Sequence, residues 1–153
     1  MKMVVLLTSP THKRKGYKMK DCFTTLEQSA KLIELGLDIC TADGYRTVKN
    51  PTIAHTIEYH DFNALLKGKK STMDKLYPCW SALRLIELMP PVVQGFISNF
   101  RLVVNRDGVW YEAIQKKPGY NHFIYDGEGG DIIAKLVDVI EMLKKNNDFQ
   151  NEP

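Results

Sequence analysis

Apolar positions along the chain fall into four patterned runs separated by stretches without a period. In "TTLEQSAKLIELG", Leu26, Ala30, Ile33 and Leu37 recur at the spacing of one helical face, and Leu32 and Leu35 widen it. Thr24 with Glu27, or Thr25 with Gln28, fits a capping box, and Gly36 stands where a left-handed residue closes a helix. The spacing predicts a helix from about Thr25 to Leu35. In "PCWSALRLIELMP", Pro78 and Pro90-Pro91 bracket a second, short helix with Ser81 as its N-cap. Ala82, Leu83, Ile86 and Met89 make its face and Leu85 and Leu88 extend it, so it is expected to be buried on more than one side.

The third run, "NFRLVVNRDGVWYEAIQ", is a hairpin signal. Phe100, Leu102 and Val104 alternate with their neighbours, as do Trp110, Glu112 and Ile114, around the turn "NRDG", which supplies side-chain capping or positive φ. "YNHFIYD" follows as a third strand. The fourth run is a helix opened by Asp131 or the glycines before it, with Ile133, Leu136, Val137, Ile140 and Leu143 in one stripe and Lys135, Asp138, Glu141 and Lys144 facing water. Residues 38–78 are the least patterned third. "TADGYRTVKNP" is rich in turn formers, and "TIAHTIEYHDF" suggests a half-buried strand, with Ile53, His55, Ile57 and Tyr59 on one side. The order α-(β)-α-β-β-β-α predicts an α+β fold in which a three-stranded antiparallel meander packs on helices, without the alternation a parallel doubly wound sheet requires. We expect a basic extension over 1–18 that the fold does not need, one domain over 19–145, and a disordered tail over 146–153.

Composition changes this picture in one respect. The 153 residues are 44% hydrophobic and 25% charged, ordinary for a globular domain, and no apolar run approaches the ~20 residues that cross a bilayer. "MKMVVLLTSP" is too short in its apolar run for a signal peptide, so a soluble, cytoplasmic protein is expected, with no membrane partner. The net charge of +3 conceals an asymmetry: residues 1–20 hold six basic residues and no acid, which leaves 15 basic against 18 acidic residues in the remainder. Lys13, Arg14, Lys15, Lys18 and Lys20 are therefore the candidate nucleic-acid contacts, and the body is a poor binding surface for a polyanion.

Candidate chemistry is sparse. Cys22, Cys40 and Cys79 are odd in number and far apart, which fits neither a disulfide framework nor a metal pair. On a strand His55 and His60 point to opposite faces, His12 and His122 lie far from both, and no HExxH is present, so no metal site is expected. Cys79 precedes a helix, where a thiol pKa can fall, but no partner histidine is identifiable and a buried small residue suits the position better. Ser81 lacks a GxSxG context. "MKMVVLLTSPTHKRKG" superficially looks like the phosphate loop of flavodoxin-like reductases, yet the next hundred or so residues lack that fold's alternation. "GEGGD" leads into a helix but carries three carboxylates in and around it, which repel an anion. Trp110, Tyr111, Tyr120, His122, Phe123 and Tyr125 crowd the meander, where core packing is favoured over base stacking. No catalytic residue and no cofactor is expected.

Three segments, "CFTTLEQSAKLIELGLDICTADGY", "PCWSALRLIELMPPVV" and the hairpin with the final helix, resemble a group of small uncharacterised proteins encoded by phages, prophages and other mobile elements of Bacteroides and relatives. That group carries "TTxEQSxxLxELG", "TADM" and "PxWSLxxLLELMP" in order. Here Gly44 stands for the Met after "TAD", Ala82 for the Leu after "WS", and "MLKKNN" for "WLxxNG". The resemblance covers residues 19–145 and implies genomic company, not a mechanism. It leads us to expect an accessory protein that binds another protein. The alternatives are a nucleic-acid-associated protein using the basic arm, and an enzyme with a dispersed site. The sequence leaves the oligomeric state open.

Overall fold

In the computed structural model, which describes residues 22–47, 49–57, 76–128 and 130–149, Thr25 opens α1 (Leu26–Glu34). Its hydroxyl accepts the Gln28 N–H while the Gln28 side chain accepts the Thr25 N–H, so of the two capping boxes the sequence permits, this one forms. Gly36 (φ 84°) ends the helix: its N–H reaches Ile33 O and that of Leu37 reaches Leu32 O, the paired bonds of a Schellman cap, with Leu32 and Leu37 both buried. The buried face differs from the expected one. It is centred on Ser29 and Leu32, while Ala30 and Ile33 are exposed, because Ser29 is drawn inward by a hydrogen bond to Thr24.

A 3-10 turn (Ile39–Thr41), capped by Asp38, leads into β1 (Gly44–Thr47). β1 is the centre of a three-stranded antiparallel sheet, flanked by β2 (His55–Thr56) and β3 (Leu76–Cys79), with Gly44 opposite both Thr56 and Cys79. Two expectations change here. Leu76–Cys79 is strand and not helix approach; Pro78 is accommodated because β3 is an edge of the sheet among the described residues, where a missing N–H costs no ladder bond. The expected strand around His55 exists, but His55 and Thr56 are exposed and not half-buried, with the His55 ring stacked on Tyr45 at 5.1 Å. Tyr59 and His60 lie outside the described residues. Ser81 then caps α2 (Ala82–Leu88) by accepting the Arg84 N–H at 3.1 Å. Leu85, Ile86 and Met89 are buried, whereas Leu83, assigned to the same face from the sequence, is 59% exposed.

The chain divides into two compact units, of which 22–88 is the first described part and 89–149 the second, each with its own sheet. In the second, β4 (Val92–Val93), β5 (Phe100–Asn105), β6 (Gly108–Ala113) and β7 (Phe123–Ile124) form an antiparallel sheet in chain order, so the expected meander gains β4 as a short edge. Asn105 and Gly108 close the hairpin; the Asn105 side chain accepts the Asp107 and Gly108 N–H groups, so side-chain capping, and not positive φ, makes this turn. Val109, Tyr111 and Ala113 are the buried face of β6, and α3 (Ile132–Lys145) packs against that strand with its expected stripe plus Val139 buried. The fold is α+β, with three α-helices and two antiparallel sheets among the described residues.

The tail departs from the expected disorder as far as Phe149. Asn147 (φ 59°) supplies a second Schellman cap, with its N–H on Lys144 O and that of Asp148 on Leu143 O. Phe149 then folds back to a buried position beneath Lys144, whose ammonium lies 4.4 Å from the ring centre, and Tyr125 donates a hydrogen bond to Asp148. Residues 150–153 lie outside the described set.

Candidate functional site

The motif residues that stand out in the sequence meet at one place in the first unit. Phe23 and Ser81 form an isolated antiparallel bridge, which lays the entry to α1 beside the entry to α2. Thr24 N–H donates to Trp80 O at 2.9 Å, Trp80 N–H donates to the Thr24 hydroxyl at 3.0 Å, and that hydroxyl pairs with Ser29 Oγ at 2.7 Å. Trp80, fully buried, donates its indole N–H to Thr41 Oγ1 at 2.9 Å, and Arg84 Nε donates to Thr41 O at 2.8 Å. Asp43 accepts the Ser81 N–H at 2.7 Å and the Ser81 hydroxyl as well. The "TTxEQS", "TAD" and "PxWS" residues thus cross-link three segments that are distant in sequence.

Arg46, 3% exposed, completes the node from β1. Its guanidinium donates to Thr24 O at 2.8 Å, Pro51 O at 3.0 Å and Phe23 O at 3.1 Å, a buried cation held by carbonyl dipoles. Gly44 packs closely beside it: a Cβ there would lie 2.5 Å from the Phe23 ring and 3.0 Å from Cys79 Sγ, so the ring would have to move.

The chemistry of this node is that of a fastener. The Ser81 hydroxyl is committed on both sides, donating to Asp43 and accepting from Arg84 N–H, and among the described residues no imidazole hydrogen-bonds to either group. Cys79 is fully buried, and burial pushes its thiol up to about 12, opposed by the Arg46 charge and aided by Asp43. A reactive cysteine needs the reverse shift. Iodoacetamide at neutral pH is therefore expected to modify the exposed Cys22 and Cys40 in the native protein and to reach Cys79 only in denaturant, as counted by intact mass. Three adducts on the native fold would contradict this.

The other candidates are dispersed. Lys13, Arg14, Lys15, Lys18 and Lys20 lie outside the described residues, as do His12 and His60. His122 Nε2 sits 3.1 Å from Lys117 O, and among the described residues no three His, Cys, Asp or Glu side chains gather as a metal ion requires. No helix among them is long and apolar enough to cross a membrane. The "GEGGD" segment is a packing device: a Cβ on Gly127 would lie 2.5 Å from Lys135 O, and the Glu128 N–H donates to Asp138 and so is not free to hold an anion. Asp131 caps α3 through the Ala134 N–H.

Of the meander aromatics, Tyr111 is core, with its hydroxyl on Pro90 O at 2.6 Å and its ring edge-on to Tyr125. Trp110 packs edge-on against Phe123, which is exposed. Beside them lies a surface the sequence reading missed. The loop 94–99 and the segment 114–122 enclose a groove of about 280 Å³ lined by Phe96, Ile97, Phe100, Ala113, Lys117 and Tyr120, with Ser98, Gln115, Asn121 and His122 at its polar edges. Phe96 is fully exposed at the crest. Gly95 holds the loop in place, since a Cβ there would meet Ser98 O at 2.4 Å and the Phe100 ring at 2.7 Å. Ile114 N–H donates to Asn99 O at 2.9 Å and Gln115 N–H to Ser98 Oγ at 3.4 Å, which ties the two walls together. The available signal was "QGFISN": two large apolar residues after a glycine, in a connection where turn formers are the rule. No protein-family model matches the chain, and no curated protein and no solved structure matches it either.

Proposed function

We propose that this chain is a small accessory protein of a phage or integrated element of Bacteroides or a relative, working in the host cytoplasm by binding another protein and not by catalysis. The genomic context rests on the motif resemblance. The binding role rests on one observation: Phe96, Ile97 and Tyr120 are presented to solvent on a loop pair tied by the Ile114–Asn99 and Gln115–Ser98 hydrogen bonds, beside an apolar groove. Large exposed apolar side chains held in place are a cost to a solitary protein, and aromatic anchors of this kind dominate binding energies. Phe96→Asp is expected to leave the unfolding midpoint unchanged and to weaken capture of the partner from host lysate at least ~30-fold, the equivalent of about 2 kcal/mol for an aromatic anchor. A wild-type protein and variant that retain the same partner equally, or a purified chain that turns over a substrate without one, would overturn the reading.

A second reading has its own observation, the six basic residues and no acid in residues 1–20. It expects salt-dependent binding to DNA or RNA that disappears when residues 1–18 are deleted. Equal binding by the truncated and full-length chains in a salt titration would remove it.

A further inference from the structure

We infer that the groove beside Phe96 takes a short peptide segment of the partner protein, one that carries an aromatic or aliphatic anchor next to an acidic residue; this rests on the protein-binding reading above. Size gives the first argument. At about 280 Å³ the groove falls just below the range of roughly 300–1,000 Å³ that encloses small-molecule ligands, and it suits one or two inserted side chains. Its floor and walls, Ile97, Phe100, Ala113 and Tyr120, are apolar.

Charge identifies the partner. Among the described residues Lys117 is the one charged residue in the lining, and none of the described carboxylates lines the groove. Glu112, next to the lining residue Ala113 on β6, is engaged by Lys116 at 3.0 Å and Arg101 at 3.3 Å, which hold its carboxyl below the usual range. Arg101, Lys116 and Lys117 against Glu112 give three positive charges to one negative, a local excess of two. Lys116 also lies 5.9 Å from the centre of the exposed Phe123 ring. An apolar anchor with a neighbouring carboxylate complements this surface, and opposite charge at a rim steers association and rejects wrong partners. A second copy of this chain would set Lys117 against Lys117. The chain's own N-terminal arm is basic. A nucleic acid is held through several neutralised phosphates, more than a local excess of two charges supplies.

The test is selection of a random heptapeptide phage library on the full-length protein, with Phe96→Asp as the counter-selected surface. Enriched peptides are expected to share a large apolar residue flanked by Asp or Glu. A synthetic peptide of that consensus should bind about tenfold more weakly to Lys117→Glu, and the same peptide with its acids changed to Lys should bind that variant better than wild type. A basic or uncharged consensus, no enrichment, or peptides that bind Phe96→Asp as well as wild type would overturn the inference. So would self-association removed by Phe96→Asp in light scattering, or a labelled single-stranded oligonucleotide displaced by that substitution. Each of these leaves the wider reading to its own experiment, because partner capture from lysate that still depends on Phe96 shows binding by another chemistry. Capture that does not depend on Phe96 defeats both.

Discussion

Trp80→Ala is expected to destabilise the first unit by about 4 kcal/mol, in the range for emptying a fully buried tryptophan site. The indole is 0% exposed, and its removal leaves a cavity between α1, β3 and the Thr41 turn, while Thr41 Oγ1 loses the N–H it accepts at 2.9 Å. The backbone bonds between residue 80 and Thr24 do not need the indole, so the variant retains the topology and loses the packing. Trp80→Phe separates the two contributions: it fills most of the cavity but gives up the hydrogen bond, and a cost of about 1–2 kcal/mol is expected. Urea unfolding followed by far-ultraviolet circular dichroism measures both. Because Trp110, the chain's other tryptophan, belongs to the second unit, its fluorescence in the Trp80 variants reports that unit alone. A loss below about 1 kcal/mol for Trp80→Ala would mean that the motif node does not hold the first unit together.

Periodicity revealed the elements whose inward positions are apolar. The α3 stripe, the β5–β6 hairpin and α2 were legible because Leu, Ile and Val mark their buried faces, and α1 was legible from its capping box and its closing Gly36. Where the inward residue is polar or lacks a side chain, the same reasoning failed for a physical cause. β1 buries Gly44 and Arg46, so no apolar alternation announces it. β3 contains Pro78, which argues against a strand unless the strand is known to be an edge. α1 turns Ser29 inward, which rotates its face away from the one counted from Ala30 and Ile33. Asn147 reads as part of a polar tail, although asparagine is, after glycine, the residue that takes the left-handed position closing a helix. The candidate site was split in the same way. The motif residues could be found in the sequence, but their bonding to one another spans up to 56 positions, as between Thr24 and Trp80, and no local pattern encodes it. The groove was missed because apolar residues in a connection carry no period.

Arg46→Met is expected to cost the first unit about 2–4 kcal/mol, the scale for leaving one or two buried carbonyls without a donor. The methionine matches the aliphatic stem of Arg46 but leaves the carbonyls of Phe23, Thr24 and Pro51 without the guanidinium that now donates to all three. An unsatisfied buried polar group costs about 1–3 kcal/mol, so the loss comes from the orphaned backbone and not from lost volume. Arg46→Lys keeps the charge, but a single ammonium lacks the planar fork that reaches three acceptors, and roughly half the loss is expected to remain. The order wild type, Arg46→Lys, Arg46→Met in urea midpoint checks this; an Arg46→Met variant as stable as wild type would show the carbonyls are hydrated without the side chain. The coupling to Trp80 is the sharper measurement. Arg46 holds the Thr24 carbonyl, and emptying the Trp80 site removes the packing that presses the backbone of residue 80 against the Thr24 N–H and hydroxyl, so both substitutions loosen the same residue. Combining Arg46→Met with Trp80→Ala is therefore expected to cost at least ~1 kcal/mol less than the sum of the single losses, since contacting sites are not additive. Strict additivity would mean that the two side chains support the first unit independently and that Thr24 is not their common anchor.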